Sequence, residues 1–86
     1  DGLVEFSIFH NNYSAELEVI ANSNFPVKSV GVYDLQGKKV YFRSNFGNRR
    51  SISITTENWA TALYIVNVVN MNNEKTSRKI TVLKYR

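Results

Sequence analysis

Residues that could perform acid–base or metal chemistry are sparse in this chain, which has one histidine and no cysteine among 86 residues. His10 stands beside a turn among asparagines, where an imidazole is more often a solvated side chain than a catalyst or metal ligand. Glu16 and Glu18 point the same way from one alternating segment and superficially resemble a carboxylate pair. General acid–base catalysis needs two carboxylates in a cleft with different surroundings, whereas these two are expected on the wet outer face of a strand.

Motifs of other chemistries are missing too. The sequence contains no glycine-rich phosphate loop, nucleophile elbow or cluster of metal ligands. Because cysteine is absent, no disulfide or thiolate metal site holds the fold together. The absence of cysteine does not indicate in which cellular compartment the protein resides. We therefore expect that the protein is not an enzyme, that it has no catalytic or metal site, and that it binds no cofactor.

Charge is distributed unevenly along the chain. Residues 1–27 carry four acidic side chains and no basic one, whereas the remainder has eleven basic against three acidic residues, for a net charge of +4. This asymmetry suggests an acidic partner for the C-terminal part, such as nucleic acid, an anionic glycolipid or an acidic protein surface. The favoured alternative is a solvated polar face that keeps a β domain soluble and its edges unpaired.

Basic and aromatic residues interleave over 38–43, as they do on platforms for single-stranded nucleic acid. The same spacing fits an amphipathic strand with Val40 and Phe42 inside and Lys39, Tyr41 and Arg43 outside. We favour the strand and expect no nucleic-acid partner.

Aromatic side chains also leave a carbohydrate-binding function open. Trp59, Tyr33, Tyr41 and Tyr85 could stack on sugar rings, as aromatic platforms do in carbohydrate-binding sandwiches. Trp59 is more often a core residue, because burying an indole contributes so much to a small fold.

Alternation of apolar and polar residues with a period of two recurs along the whole chain and predicts seven short strands. The apolar positions of these strands form the candidate core: Val4, Phe6, Ile8, Leu17, Val19, Val30, Val32, Val40, Phe42, Ile52, Ile54, Ile80 and Val82. Residues 63–69 are apolar at nearly every position, as in a strand covered on both sides.

Turn chemistry separates these segments. In residues 34–37, Asp34 suits the first position of a type I turn and Gly37 the fourth. Residues 45–48 and 70–73 are predicted hairpin connections. Residues 55–62 are predicted to cross between two sheets, with Trp59 folded over one end of the core.

These elements predict an all-β fold, an antiparallel immunoglobulin-like β-sandwich of about seven strands. Residues 1–86 fit a single domain, and no apolar run approaches the ~20 residues that span a bilayer. The chain begins Asp1-Gly2 without an initiator methionine. We therefore expect it to be the C-terminal domain of a longer secreted protein, with a cargo or catalytic domain before it.

Three segments resemble a known family of export signals: VKSVGVYDLQGKKV (27–40), ISITTENWATALYIVNV (52–68) and SRKITVLK (77–84). Their order and spacing are similar to those of the C-terminal sorting domains of the type IX (Por) secretion system. The resemblance covers about residues 15–84. Ala62 stands where the family usually has glycine, and Trp59 where leucine is common.

The resemblance carries the family's recognition positions over to this chain. Those of the first strand and its turn are Val30, Val32, Tyr33, Asp34, Gly37 and Lys38. Those of the Gly-x-Tyr strand and the closing strand are Tyr64, Ile65, Val68, Lys79, Ile80, Val82 and Lys84.

In that family the domain directs an attached cargo through the periplasm and across the outer membrane of Bacteroidetes-type bacteria. The implied partners are therefore the preceding cargo domain, the outer-membrane translocon or shuttle, and a sortase-like peptidase that removes the domain. The cargo is then released or anchored at the cell surface. We expect residues 76–84 to carry recognition, by strand pairing to a receptor edge. The alternatives are an immunoglobulin-like spacer or adhesion module and a carbohydrate-binding module. An exposed edge strand could also let the isolated domain pair with itself.

Overall fold

Seven β-strands follow the alternating segments in a computed structural model, which describes residues 6–22 and 24–83. Each strand is five to nine residues long, as is usual for a small sandwich. The strands are β1 (Phe6–Asn11), β2 (Glu16–Ala21), β3 (Val27–Tyr33), β4 (Lys39–Ser44), β5 (Ser51–Thr55), β6 (Ala62–Asn70) and β7 (Lys75–Val82).

The strands form two antiparallel sheets, one with the order β1-β2-β5 and one with the order β4-β3-β6-β7. This arrangement confirms the predicted antiparallel sandwich. Strands β4 and β7 are the edges of the four-stranded sheet. Among the described residues, none lies in a helix long and apolar enough to cross a lipid bilayer.

Three connections are hairpins and three cross from one sheet to the other. The hairpins join β1 to β2, β3 to β4 and β6 to β7, so residues 70–73 form a hairpin as predicted. Residues 55–62 lead from β5 to β6 in the opposite sheet, which confirms the predicted crossing. The predicted hairpin at residues 45–48 is wrong, because β4 and β5 belong to different sheets. Phe46 in this connection is buried in the core.

The core lies between the sheets and is built from the inward-pointing residues of every strand. The residues predicted there on β1, β2, β3, β5 and β7 are all buried. They share the alternating pattern, which places every second side chain on the inner face. Val4, also assigned to the core, lies outside the described residues.

Strand β4 has the opposite phase to the one predicted. Val32 is fully buried and pairs with Tyr41, so Tyr41 is the inward-facing residue. Phe42 pairs with Gly31 on the outer face and is 53% exposed. A β-bulge then shifts the register so that Tyr33 pairs with Lys39, and Val40 is left without a partner and 39% exposed. The packing of Tyr41 against the core overrides the higher hydrophobicity of its neighbours.

The continuous apolar sequence of β6 predicted a strand covered on both sides. This prediction is wrong, because the strand is covered on one side only. Tyr64, Val66 and Val68 are buried between the sheets. Ile65 and Val69 are only half-buried, and Leu63 is exposed. The outward-facing apolar residues of β6 therefore belong to a surface.

Candidate recognition surface

The turn between β3 and β4 is held by the carboxylate of Asp34. Its Oδ1 atom accepts hydrogen bonds from the backbone N–H groups of Gln36 (3.0 Å) and Lys38 (2.9 Å). Gly37 has a φ of 88°, a left-handed conformation that glycine adopts without strain. The family positions Asp34, Gly37 and Lys38 thus build the hairpin, and the side chain of Lys38 is exposed.

An aromatic cluster closes one end of the sandwich. The Trp59 ring centroid lies 5.3 Å from that of Tyr64 and 6.2 Å from that of Tyr41. Trp59 and Tyr41 are partly buried and pack on the core. The Tyr64 hydroxyl donates to the Ala60 carbonyl at 2.6 Å. Burial, and secondarily the nearby Asp34 carboxylate, raises the pKa of Tyr64 above 10.0.

His10 lies within β1 and is half-buried, so the prediction of a solvated loop side chain is wrong. Its two ring nitrogens lie 2.6 Å from Asn12 Oδ1 and 2.7 Å from Thr56 Oγ1. Asn12 Oδ1 also accepts a hydrogen bond from the backbone N–H of Leu83 at 2.9 Å. This network connects the first hairpin to the β5–β6 crossing and to the end of β7.

Glu16 and Glu18 lie on the outer face of a strand, as predicted. They face away from the core on β2, and Glu18 Oε2 accepts a hydrogen bond from Ser53 at 2.9 Å. Within residues 6–22 and 24–83, no three histidine or acidic side chains converge as a metal site would require.

Six of the family's thirteen recognition positions are residues of the core. Those buried between the sheets are Val30, Val32, Tyr64, Val68, Ile80 and Val82. Lys84 lies outside the described residues. The positions that reach the surface beyond the β3–β4 turn are Tyr33, Ile65 and Lys79.

These three surface positions lie in one line across the outer face of the four-stranded sheet. Cross-strand pairing connects Lys39 to Tyr33, Tyr33 to Ile65, and Ile65 to Lys79. Two further rows of cross-strand paired residues run parallel to this one, and we call the three rows together the outer rows. The second row is Phe42, Gly31, Asn67 and Ser77, and the third is Ser44, Ser29, Val69 and Lys75.

A notch of about 280 Å³ opens in the second of the outer rows, over Gly31. A Cβ atom at Gly31 would lie 3.2 Å from Cε1 and 3.3 Å from the hydroxyl of Tyr33, and 3.4 Å from Cδ1 of Phe42. The two aromatic side chains therefore converge over bare backbone. Asn67, Lys75 and Ser77 are among the polar residues that also line the notch. The sequence-based prediction included Tyr33, Val68 and the segment 76–84, but it missed Gly31 and Asn67, because the lining comes from four strands that only the register brings together.

The second exposed feature is the edge strand β7. Ser77, Arg78 and Lys79 are consecutive exposed residues on it. Together with Ile65 they line a shallow depression of about 500 Å³. Basic side chains on an edge oppose unspecific pairing and favour a partner that carries acidic groups.

The two antiparallel sheets place the chain in the class of immunoglobulin-like β-sandwiches. Within that class, the chain belongs to the family described as a domain of unknown function, DUF8694, whose match covers residues 6–82.

Among solved structures, the chain is similar to the crystal structure of a DUF3244 family protein with an immunoglobulin-like beta-sandwich fold from Bacteroides vulgatus ATCC 8482. The TM-score is 0.76 at 16% sequence identity, and the match covers 96% of this chain and 93% of the other. Such a low identity bears on the fold alone. No curated protein matches this chain.

Proposed function

We propose that this domain is a sorting signal that directs an attached cargo protein across the outer membrane through the type IX secretion system. The proposal rests on the resemblance of three segments to that family, together with one structural observation. The closing strand of the motif, β7, is an edge strand with consecutive exposed residues at 77–79. A receptor can therefore add a strand to this edge without opening the fold.

The distribution of motif positions is consistent with such a signal. A sorting domain needs a stable, modular fold, so most of its shared residues should build the core and the turns. Lys79 is the position of the motif that is both exposed and on an edge strand within the described residues. Its neighbour Arg78 adds a second positive charge beside the depression. An acidic receptor strand would pair with both.

In this proposal the domain passes through the periplasm with its cargo and is then removed by a sortase-like peptidase, as the resemblance implies. The cargo domain, the outer-membrane translocon or shuttle and the peptidase are the partners. Recognition uses backbone hydrogen bonds for affinity and the charges of β7 for selection. No catalytic group of the domain takes part.

The test is an export assay. Residues 1–86 are fused to the C-terminus of a periplasm-directed fluorescent protein in a host with the type IX machinery. Arg78→Glu/Lys79→Glu reverses two charges on the β7 edge. Arg49→Glu/Arg50→Glu is the matched control, because it reverses an adjacent exposed pair in the β4–β5 connection.

We expect the wild-type fusion and the control to reach the cell surface or the medium, and the β7 variant to stay in the periplasm. Circular dichroism of each purified domain must show that the fold is kept. Retention of the wild-type fusion with a folded domain would overturn the proposal and favour a spacer or adhesion module. Export of both variants would show that the charges of β7 are not the recognised feature.

A further inference from the structure

We propose that the notch over Gly31 binds an acidic sugar, meaning a pyranose ring that carries a carboxylate within an oligosaccharide. The site lies in the middle of the outer rows and shares Ser77 with the depression along β7. A sugar would contact side chains on the face of the sheet, whereas a receptor strand would pair with the backbone of the β7 edge, so either proposal can hold without the other.

Because Gly31 has no side chain, the rings of Tyr33 and Phe42 can lie close over its backbone. The notch volume of about 280 Å³ lies near the lower limit of small-molecule pockets, which suits a single ring better than a larger ligand. Phe42 and Tyr33 form its aromatic walls, and Phe42 is 53% exposed. Carbon-bound hydrogens of a sugar ring pack favourably on the negative face of an aromatic ring.

Polar groups stand where the hydroxyls of such a ring would lie. Ser77 Oγ donates to Asn67 Oδ1 at 2.5 Å, which occupies the oxygen of that amide. In the part of the chain that the structure describes, the Asn67 amide nitrogen and the Tyr33 hydroxyl have no hydrogen-bond partner. The Asn67 amide nitrogen can donate a hydrogen bond to a sugar hydroxyl, and the Tyr33 hydroxyl can donate or accept one.

Charge indicates that the sugar is acidic. Lys75 lines the notch itself, and Lys39 and Lys79 stand at two other corners of the outer rows. Lys39 Nζ lies 5.4 Å from the centre of the Phe42 ring. None of the twelve residues of the outer rows is acidic, so no negative side chain there would repel an anionic ligand.

Other occupants fit this surface less well. A second copy of the chain docked face to face would place lysines opposite lysines, which costs energy. A peptide strand binds through backbone hydrogen bonds at a sheet edge, but β3 and β6 are interior strands whose backbone groups already pair on both sides. A ligand at the notch must therefore be recognised by side chains, as sugars are.

The test is a titration of the 15N-labelled chain of 86 residues, followed by backbone amide chemical shifts. The probes are trigalacturonate, a hyaluronan tetrasaccharide and a heparin tetrasaccharide, with maltotriose as the neutral sugar and triglutamate as the acidic peptide. The variants are Phe42→Ala, Lys75→Gln and Asn67→Ala. Arg49→Gln is the control, because it removes an exposed basic side chain outside the outer rows.

We expect at least one acidic oligosaccharide to give saturable shifts at Gly31, Asn67 and Ser77, with maltotriose at least about tenfold weaker. Phe42→Ala should weaken binding about tenfold, from lost stacking, and Lys75→Gln about threefold. Asn67→Ala should weaken it through its lost hydrogen bond, and Arg49→Gln should leave it unchanged.

Three outcomes would overturn the inference. The first is no saturable shift at these amides with any acidic sugar up to about 10 mM. The second is shifts spread evenly over all exposed lysines and abolished by salt, which indicates unspecific charge attraction. The third is equal binding of triglutamate, which would assign the surface to acidic peptides. Thermal unfolding of each variant ensures that a lost response reflects the notch rather than the fold.

Discussion

The imidazole Nε2 of His10 lies 2.7 Å from Oγ1 of Thr56, although 46 residues separate the two in the chain. The other ring nitrogen contacts Asn12, whose carboxamide oxygen also accepts the backbone N–H of Leu83. One half-buried side chain thereby fixes a hairpin, a crossing between sheets and the end of the last strand. His10, the histidine considered above for catalysis or metal binding, thus connects three separate parts of the fold.

We expect His10→Ala to lower the free energy of unfolding by about 1–3 kcal/mol, because it leaves the fully buried Thr56 without this partner. Thr56→Val should cost a similar amount, and the double variant less than the sum. Urea unfolding of the four proteins in a double-mutant cycle measures this coupling. Ser7→Ala, which removes an exposed hydrogen bond to Asn22, is the control and should be nearly neutral. Strict additivity of His10→Ala and Thr56→Val would contradict the network.

The alternating pattern predicted the core well, because period-two alternation and burial have the same geometric cause. It failed at β4, where two strongly apolar residues, Val40 and Phe42, flank the less apolar Tyr41. Tyr41 faces inward because it packs with Trp59, and a bulge then changes the phase. Neither the packing of Tyr41 with Trp59 nor the bulge can be predicted from a single sequence.

The candidate surfaces were less predictable than the fold for a related reason. The lining of the notch comes from four strands, and only the registers of β3 with β4, of β3 with β6 and of β6 with β7 bring Phe42, Gly31, Asn67 and Ser77 into one row. A one-residue slip in any of these would send side chains to the other face. The basic residues of β7 were visible in the sequence, but the edge position of the strand was not.

Tyr64 should make stability depend on alkaline pH. Burial raises its pKa in the folded state above 10.0, so the folded chain holds this proton more tightly than the unfolded chain does. Its contribution is complete below pH 10 and is lost as the pH rises through the folded-state pKa. We expect the free energy of unfolding, measured by urea with Trp59 fluorescence, to fall above about pH 10.

Tyr64→Phe separates this effect from the other tyrosines. At pH 8 it should cost about 1 kcal/mol, because the hydrogen bond to the Ala60 carbonyl is lost. Between pH 9 and 11 its stability should fall less steeply than that of the wild type. Equal slopes for the two proteins would show that Tyr64 does not carry the alkaline dependence.

Asp34 should stabilise the β3–β4 hairpin through its carboxylate. Asp34→Ala removes the acceptor of two backbone hydrogen bonds and should lower the free energy of unfolding by about 1–3 kcal/mol. Asp34→Asn keeps an oxygen acceptor and should cost less than half as much. Urea unfolding measures both, and amide hydrogen exchange at Gln36 and Lys38 should increase in the alanine variant. A loss of equal size in both variants would assign the effect to the charge rather than to the hydrogen bonds.

Gly31 and Gly37 should respond differently to substitution by alanine. At Gly31 the added Cβ would approach Tyr33 and Phe42 to 3.2–3.4 Å, but these contacts are with side chains that can turn away. At Gly37 nothing lies within 4 Å of the added atom, yet the φ of +88° is one that alanine adopts only with strain. Available space and backbone conformation therefore predict different costs.

We expect Gly31→Ala to change the free energy of unfolding by less than about 1 kcal/mol, because the lower entropy of the unfolded alanine chain offsets the crowding. Its ring-proton shifts at Tyr33 and Phe42 should change as the notch closes. Gly37→Ala should cost about 1–2 kcal/mol and leave those rings unchanged. Urea unfolding and aromatic NMR spectra of the two variants measure both quantities. A large loss in Gly31→Ala with unmoved rings would mean that the convergence of Tyr33 and Phe42 over Gly31 is rigid, and that the notch cannot adapt to a ligand.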